Sequence, residues 1–169
     1  RVFFHQDFDI YADSVGDTAY FDPEPRALIH YKRKLWLWVD AQTRSGFGWD
    51  AFAIGESLVG GLEGTWRDAE DGELGGNLVS QGAVDSTGGL HVELGGDSTE
   101  ELYYWISLGN DYQDLRHHNE ALRERGPESL IDRTRHYWRF WVTGAKTGEA
   151  DLDQRLTDLY HQSLLIVRT

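Results

Sequence analysis

Lys34-Leu35-Trp36-Leu37-Trp38-Val39 is a charged residue followed by an unbroken apolar run. A strand with one wet face alternates apolar and polar residues; a strand covered on both faces does not. This segment therefore predicts a strand with protein above and below it. Working outward, Val2-Phe3-Phe4-His5-Gln6-Asp7-Phe8-Asp9-Ile10-Tyr11 reads as a strand whose second part alternates. Asp22-Pro23-Glu24-Pro25 is turn chemistry. Phe47 to Ile54 predicts another strand, Leu90-His91-Val92-Glu93-Leu94 an alternating one, and Leu102 to Leu108 a second buried one. Short strands at this spacing indicate an antiparallel sandwich.

The pattern changes near residue 110. Asp111 to Arg125 is polar with a thin stripe of Leu115 and Leu122. Gly126 supplies a C-cap, and Pro127 opens the next helix in its first turn. There Leu130, Ile131, Thr134, Tyr137, Trp138, Trp141 and Val142 form one wide apolar face, closed by Gly144. Asp151 to Thr169 predicts a third helix with Leu152, Leu156, Leu159, Tyr160, Leu164 and Val167 on one side. Its apolar face calls for a partner that three helices and a sandwich do not readily supply. The fold class is thus mainly β: an antiparallel β-sandwich followed by a C-terminal α-helical linker. Between Gly55 and Gly89 runs a Gly- and Asp-rich stretch whose strands the pattern does not mark. A long irregular segment in a compact domain is usually functional or packed on a neighbour.

The 169 residues are 40% hydrophobic, enough for a real core, so disorder is excluded as the main state. No apolar run reaches the ~18–20 residues of a bilayer-spanning helix. The formal charge of −13 repels phosphate, so neither nucleic acid nor an anionic membrane is an expected partner. Lys32, Lys34 and Lys146 are the only lysines and cysteine is absent. That fits an acidic protein of a GC-rich genome or a halophilic surface hydrated in concentrated salt, with the balance toward salt. Without cysteine there is no disulfide framework and no thiol chemistry. No signal peptide is visible, which favours the cytoplasm without fixing the compartment. The chain starts inside a strand pattern and stops inside a helix, so a fragment of a longer protein is expected.

Carboxylates are abundant, among them Asp7, Asp9, Asp13, Asp17, Glu56, Glu63, Asp68, Glu70, Asp71, Asp85 and Glu93. A glycosidase needs two of them across a sugar, one protonated and one ionised. At this density any single one reads first as a solvated surface charge. His117 and His118 adjoin on a helix and point about 100° apart, a poor chelate. His91 and Glu93 share a predicted strand face, but no third ligand stands at metal-site spacing. No metal, no cofactor and no catalytic residue is assigned. Nucleophile elbow, P-loop and dinucleotide fingerprints are missing. Trp36, Trp38, Trp49 and Trp66 could stack on sugar rings, although Trp36 and Trp38 read as core. Trp66 stands in polar surroundings. With Asp68, Glu70 and Asp71 it forms the candidate contact surface toward substrate or a neighbouring domain.

Four blocks carry a family resemblance. They are His5-Gln6-Asp7-Phe8 with Val15-Gly16-Asp17-Thr18-Ala19-Tyr20-Phe21-Asp22-Pro23; Trp66-Arg67-Asp68-Ala69-Glu70-Asp71-Gly72 with Gly76-Asn77; Gln81-Gly82-Ala83-Val84-Asp85-Ser86; and Arg125-Gly126-Pro127-Glu128 through Trp141, then Leu159 to Ile166. In that order they make the chain resemble the N-terminal region of the prokaryotic glucoamylases and glucodextranases of glycoside hydrolase family 15. The resemblance implies a large, supersandwich-like β-sandwich, a helical linker and an (α/α)6 catalytic barrel. It places an incomplete sandwich at 1–110, the linker at 111–144 and the first barrel helix at 145–169. It also implies an exo-acting, inverting hydrolysis of α-glucosidic bonds by the whole enzyme, with an α-glucan as substrate and the chain's own barrel as partner. The family's two catalytic glutamates lie in later barrel segments, and no position here matches their motifs. The chain alone is then non-catalytic and braces the barrel. Two other readings remain: a stand-alone carbohydrate-binding sandwich, and a small hydrolase with its own carboxylate pair in a concave groove.

Overall fold

The computed structural model describes residues 1–13, 15–56, 63–144 and 153–168. They fall into two compact units, Arg1–Ala121 and Leu122–Thr169. The first unit is an antiparallel β-sandwich built from β1 (Val2–Asp7), β2 (Asp17–Asp22), β3 (Ala27–Lys32), β4 (Leu35–Thr43), β5 (Gly46–Phe47), β6 (Ala51–Glu56), β7 (Val79–Gly82), β8 (Val84–Leu90) and β9 (Tyr103–Gly109). The helices are α1 (Tyr112–Arg125), α2 (Pro127–Gly144) and α3 (Gln154–Arg168). One sheet has the order β1-β8-β6; the other has β5-β4-β3-β2-β7, with β9 on β4.

Strand β4 lies where its composition requires. Leu37, Val39 and Ala41 are buried on one face, Trp38 and Asp40 on the other. Val39 and Ala41 join Ala19 and Leu28 against Ile54, Val84 and Leu90 of the narrower sheet. Trp49 fills the space between the sheets and donates Nε1–H to the Val39 carbonyl at 3.0 Å. Its ring lies on Gly88, where an added Cβ would overlap it. On the opposite face Ala27, Ile29 and Trp38 pack under Leu115 of α1. Tyr112 ties that helix to the β2–β3 turn through a 2.6 Å bond from its hydroxyl to Asp22. Burial, then the Asp22 bond, pushes the Tyr112 hydroxyl up to about 12. Asn119 fixes the other end of the contact: it accepts from Trp105 Nε1 at 2.8 Å and donates to buried Asp40 at 3.0 Å.

Several sequence expectations need correction. The first strand stops at Asp7, not Tyr11. Beyond it Ile10–Ala12 makes a 3-10 turn in which Tyr11 and Ala12 take positive φ, and Lys32 Nζ donates to the Ile10 carbonyl at 3.3 Å. Phe47 to Ile54 is not one strand: Gly48, at φ +88, breaks it into β5 and β6, and a Cβ there would strike Arg26. Leu90 to Leu94 is not a strand either. Only Leu90 belongs to β8, and His91 N–H turns away to Asp50 at 2.8 Å. The predicted strand at Leu102 exists as β9 but is an edge strand rather than a buried one. Its Ile106 and Leu108 face the inter-sheet side yet are 37% and 57% exposed, since the three-stranded sheet does not reach over them. Strands β2, β3, β7 and β8 carry no sequence forecast of their own.

The helical forecasts are closer. Gly126, at φ +79, caps α1 through its N–H to the Leu122 carbonyl at 2.9 Å, and Pro127 is the first residue of α2. In the second unit α2 and α3 pack on each other. Ile131, Tyr137 and Phe140 of α2 and Leu156, Leu159 and Val167 of α3 remain exposed. The forecast start of the third helix at Asp151 and Leu152 lies outside the described residues.

Candidate functional site

The candidate residues Trp66, Asp68, Glu70 and Asp71 lie together in the loop that follows β6, on the outer face of the narrower sheet. Strand alternation puts Asp85, Thr87 and Gly89 of β8 on that face, beside Phe3, His5 and Asp7 of β1 and Ala53 and Gly55 of β6. The loop covers Asp85, Thr87 and Gly89, while His5 and Asp7 remain exposed beside it. Thr65 is buried against Gly55, and its hydroxyl shares a 3.0 Å hydrogen bond with that of Thr87. Leu74 reaches Gly89, where an added Cβ would meet it at 3.2 Å.

The centre of this contact is Asp85, which is fully buried. Both its carboxylate oxygens accept the Thr65 N–H, at 3.2 and 3.0 Å. Oδ2 also stands 3.1 Å from His5 Nε2. A buried carboxylate is tolerated only when its charge is met by donors of this kind. Gly64, at φ +94, approaches so closely that a Cβ would overlap Asp85 Oδ2. Neighbouring Asp7 carries a raised pKa, first through burial and then through the Asp85 charge.

Within the loop two of the candidate carboxylates hold the backbone in place. Asp68 Oδ2 accepts the Gly75 N–H at 2.7 Å, and Asp71 Oδ1 accepts that of Glu73 at 2.9 Å. Asp68–Asp71 forms a 3-10 turn closed by Gly72 at φ +85. Arg67 pairs with Glu63 and stands 4.0 Å from Glu70. Arg1 reaches in from the start of the chain to the Gly72 carbonyl and to Glu73 at 3.2 Å. Gly76 N–H binds the Phe52 carbonyl at 2.9 Å and returns the chain to the sheet. Trp66 remains 45% exposed. The loop is therefore an ordered platform with one aromatic face and a set of acids.

The other tryptophan candidates divide. Trp49 is 1% exposed and Trp38 is 2%, so neither can meet a sugar. Trp36 stacks on Tyr31 at 4.2 Å. His118 Nδ1 lies 3.0 Å from the Leu108 carbonyl, a structural bond between α1 and β9. His91 and Glu93 do not share a strand, and their side chains stand 3.6 Å apart at the surface. Among the described residues no group of three or more His, Cys, Asp or Glu could hold a metal ion.

Asp85 and Ser86 of β8, with the histidines beside them, do not form a Ser-His-Asp device. Ser86 faces the inter-sheet side, where it lies 2.7 Å from His30 Nε2 and donates to Gln6 Oε1 at 3.0 Å. Asp85 faces outward to His5. The two pairs sit on opposite sides of one sheet, and a triad needs all three groups on one side. His30 is buried, which lowers its pKa to about 4. Lys32 is also buried beside Asp17 at 2.9 Å. Burial alone would lower its pKa, but the bond to Asp17 and the charges of Asp17 and Asp13 outweigh it and the net direction is up. These are interior polar groups without access to a substrate.

A separate open groove of about 440 Å³ is lined by Thr43, Arg44, Ser45, His91, Val92, Glu93 and Glu100. It has no aromatic wall on which a sugar ring could stack. Arg44 stands 4.0 Å from Glu100 across it.

No known protein family matches the sequence. No curated protein matches it either. Among solved structures, a bacterial glucoamylase complexed with acarbose matches the fold with a TM-score of 0.62 at 12% identity. The match covers 83% of this chain and 20% of that one, so the chain spans about a fifth of the enzyme's length. At that identity the likeness establishes a glucoamylase-like fold.

Proposed function

We propose that this chain is the sandwich-and-linker portion of a glucoamylase-like glycoside hydrolase of family 15, and that it braces a catalytic barrel without performing chemistry itself. The observation that carries this reading is the fold likeness, which extends over 83% of the chain, onto an enzyme crystallised with acarbose. The order of the four sequence blocks supports it independently. In this reading residues 1–110 form the sandwich, 111–144 the linker and 145–169 the first barrel helix. The exposed apolar side chains of α2 and α3 then face further barrel helices, and the loop around Trp66, Asp68, Glu70 and Asp71 meets the barrel or its substrate. The whole enzyme would hydrolyse an α-glucan from the chain end. One carboxylic acid would protonate the leaving sugar, and a carboxylate on the other side would activate water. Salt adaptation belongs to the same proposal and rests on the charge of −13 with three lysines.

The test is direct. The purified 169-residue chain, incubated with maltooligosaccharide, should release no glucose, and measurable release would overturn the non-catalytic reading. Exposed Trp66 also permits a stand-alone binding module. Titration with α-glucan while following Trp fluorescence distinguishes the two. A signal abolished by Trp66→Ala favours the module; no signal favours the brace.

A further inference from the structure

We infer that Asp85 is the latch of a separable element: it holds the loop 63–76 on the outer face of the β1-β8-β6 sheet, and the loop can be released as a unit while the sandwich stays folded. This goes beyond the proposed function and stands whether or not Trp66 meets a barrel. Four observations carry it. Asp85 is a buried carboxylate whose bonds go to the loop and to His5, not across the inter-sheet core. Gly64 is shaped to it, at positive φ and with no room for a Cβ. Beyond Asp85 the loop is tied to the sheet by the Thr65–Thr87 hydroxyl bond, by Leu74 against Gly89 and by Gly76 N–H to the Phe52 carbonyl at its far end; its other ties, Asp68 to Gly75, Asp71 to Glu73 and Arg1 to Gly72 and Glu73, are at the surface or within the loop. The core cluster, by contrast, includes no loop residue. Local opening is cheapest where few buried apolar contacts are lost, and here the lost contact is mainly polar. Asp85 is thus a positioning residue for Trp66.

Amide hydrogen exchange on the full 169-residue chain tests this, read at Thr65, Gly72, Gly75 and Gly76 in the loop and at β8 residues in the sheet. Asp85→Ala removes the acceptor. Gly64→Ala leaves the carboxylate in place and pushes the loop off it from the other side. A hydrogen bond to a charged group corresponds to at least about a tenfold change in an opening equilibrium. Loop amides should therefore exchange at least about tenfold faster in each variant, with β8 amides unchanged. Should Asp85→Ala fail to fold, Gly64→Ala decides. The inference is overturned if Gly64→Ala leaves the loop amides at wild-type rates, or if loop and β8 amides accelerate together.

Discussion

Protonating His30 should cost the sandwich stability. His30 lies on the inter-sheet face of β3, 1% exposed, with Nε2 at 2.7 Å from Ser86 Oγ. Ser86 spends its one hydroxyl proton on Gln6 Oε1, so His30 Nε2 must be the donor in that pair. The folded protein thus holds a neutral imidazole in one tautomer. Burial lowers the His30 pKa from 6.5 to about 4, with nearby Asp85 opposing the shift and His5 adding to it. Between those values the unfolded chain binds the proton and the folded chain does not. Stability therefore falls as pH drops below the unfolded value, and the loss saturates below the folded one. From pH 7 to pH 5 the linkage amounts to about 2 kcal/mol. Urea unfolding followed by Trp fluorescence, at both pH values, should show this loss in the wild type. His30→Gln, which can still donate to Ser86 but does not titrate, should lack that part of it. Parallel pH dependence in the two proteins would refute the reasoning.

Other positions give independent checks. Gly88→Ala places a Cβ into the Trp49 ring and should destabilise by about 1–3 kcal/mol, read as a lower urea midpoint. Leu115→Ala empties the apolar contact between α1 and sheet residues Ile29 and Trp38; about 2–5 kcal/mol should be lost, with a lower Tm. With a net charge of −13, raising KCl should raise Tm by screening self-repulsion, and a flat response would remove the charge argument for salt adaptation.

What the sequence disclosed, and what it hid, follows from how each strand is buried. Strand β4 was legible because both its faces are apolar or paired, and α1 and α2 because Gly126 and Pro127 mark their boundary. Strand β8 was not: Val84-Asp85-Ser86-Thr87-Gly88-Gly89-Leu90 is buried at every position yet has only two large apolar residues. Its polar side chains are satisfied by His30, Gln6, Thr65 and His5, and its glycines make room for Trp49 on one face and Phe3 and Leu74 on the other. Hydrophobic periodicity registers none of that. Leu90 to Leu94 misled for the opposite reason. It alternates well, but Asp50 takes the His91 N–H and the chain leaves the sheet. In the candidate site Trp66 stood out as a lone aromatic in polar sequence, while Asp85 was lost among many acids. The distinguishing signal lies in a pairing that neither block shows alone: His5-Gln6 and Asp85-Ser86 stand on neighbouring strands with Gln6 opposite Ser86, so their side chains meet in two layers.

That pairing gives β8 a double role. Because side chains alternate, Ser86 points inward and couples the two sheets through His30, whereas Asp85 points outward and places the loop. One peptide bond separates a determinant of sandwich stability from a determinant of surface geometry. A scaffold that must present a loop to a neighbour benefits from this arrangement. On the proposed latch the loop is placed by the Asp85 contact and takes no part in the core cluster, so its release would leave the sheets folded. The same logic holds on the opposite side of the wider sheet. There Asp40 and Asn119 fix α1 through a polar bond while Leu115 supplies the apolar contact. For α1 apolar burial provides the adhesion, but it is non-directional. The buried carboxylates, each satisfied by a particular donor, set the register in which the loop and the helix dock.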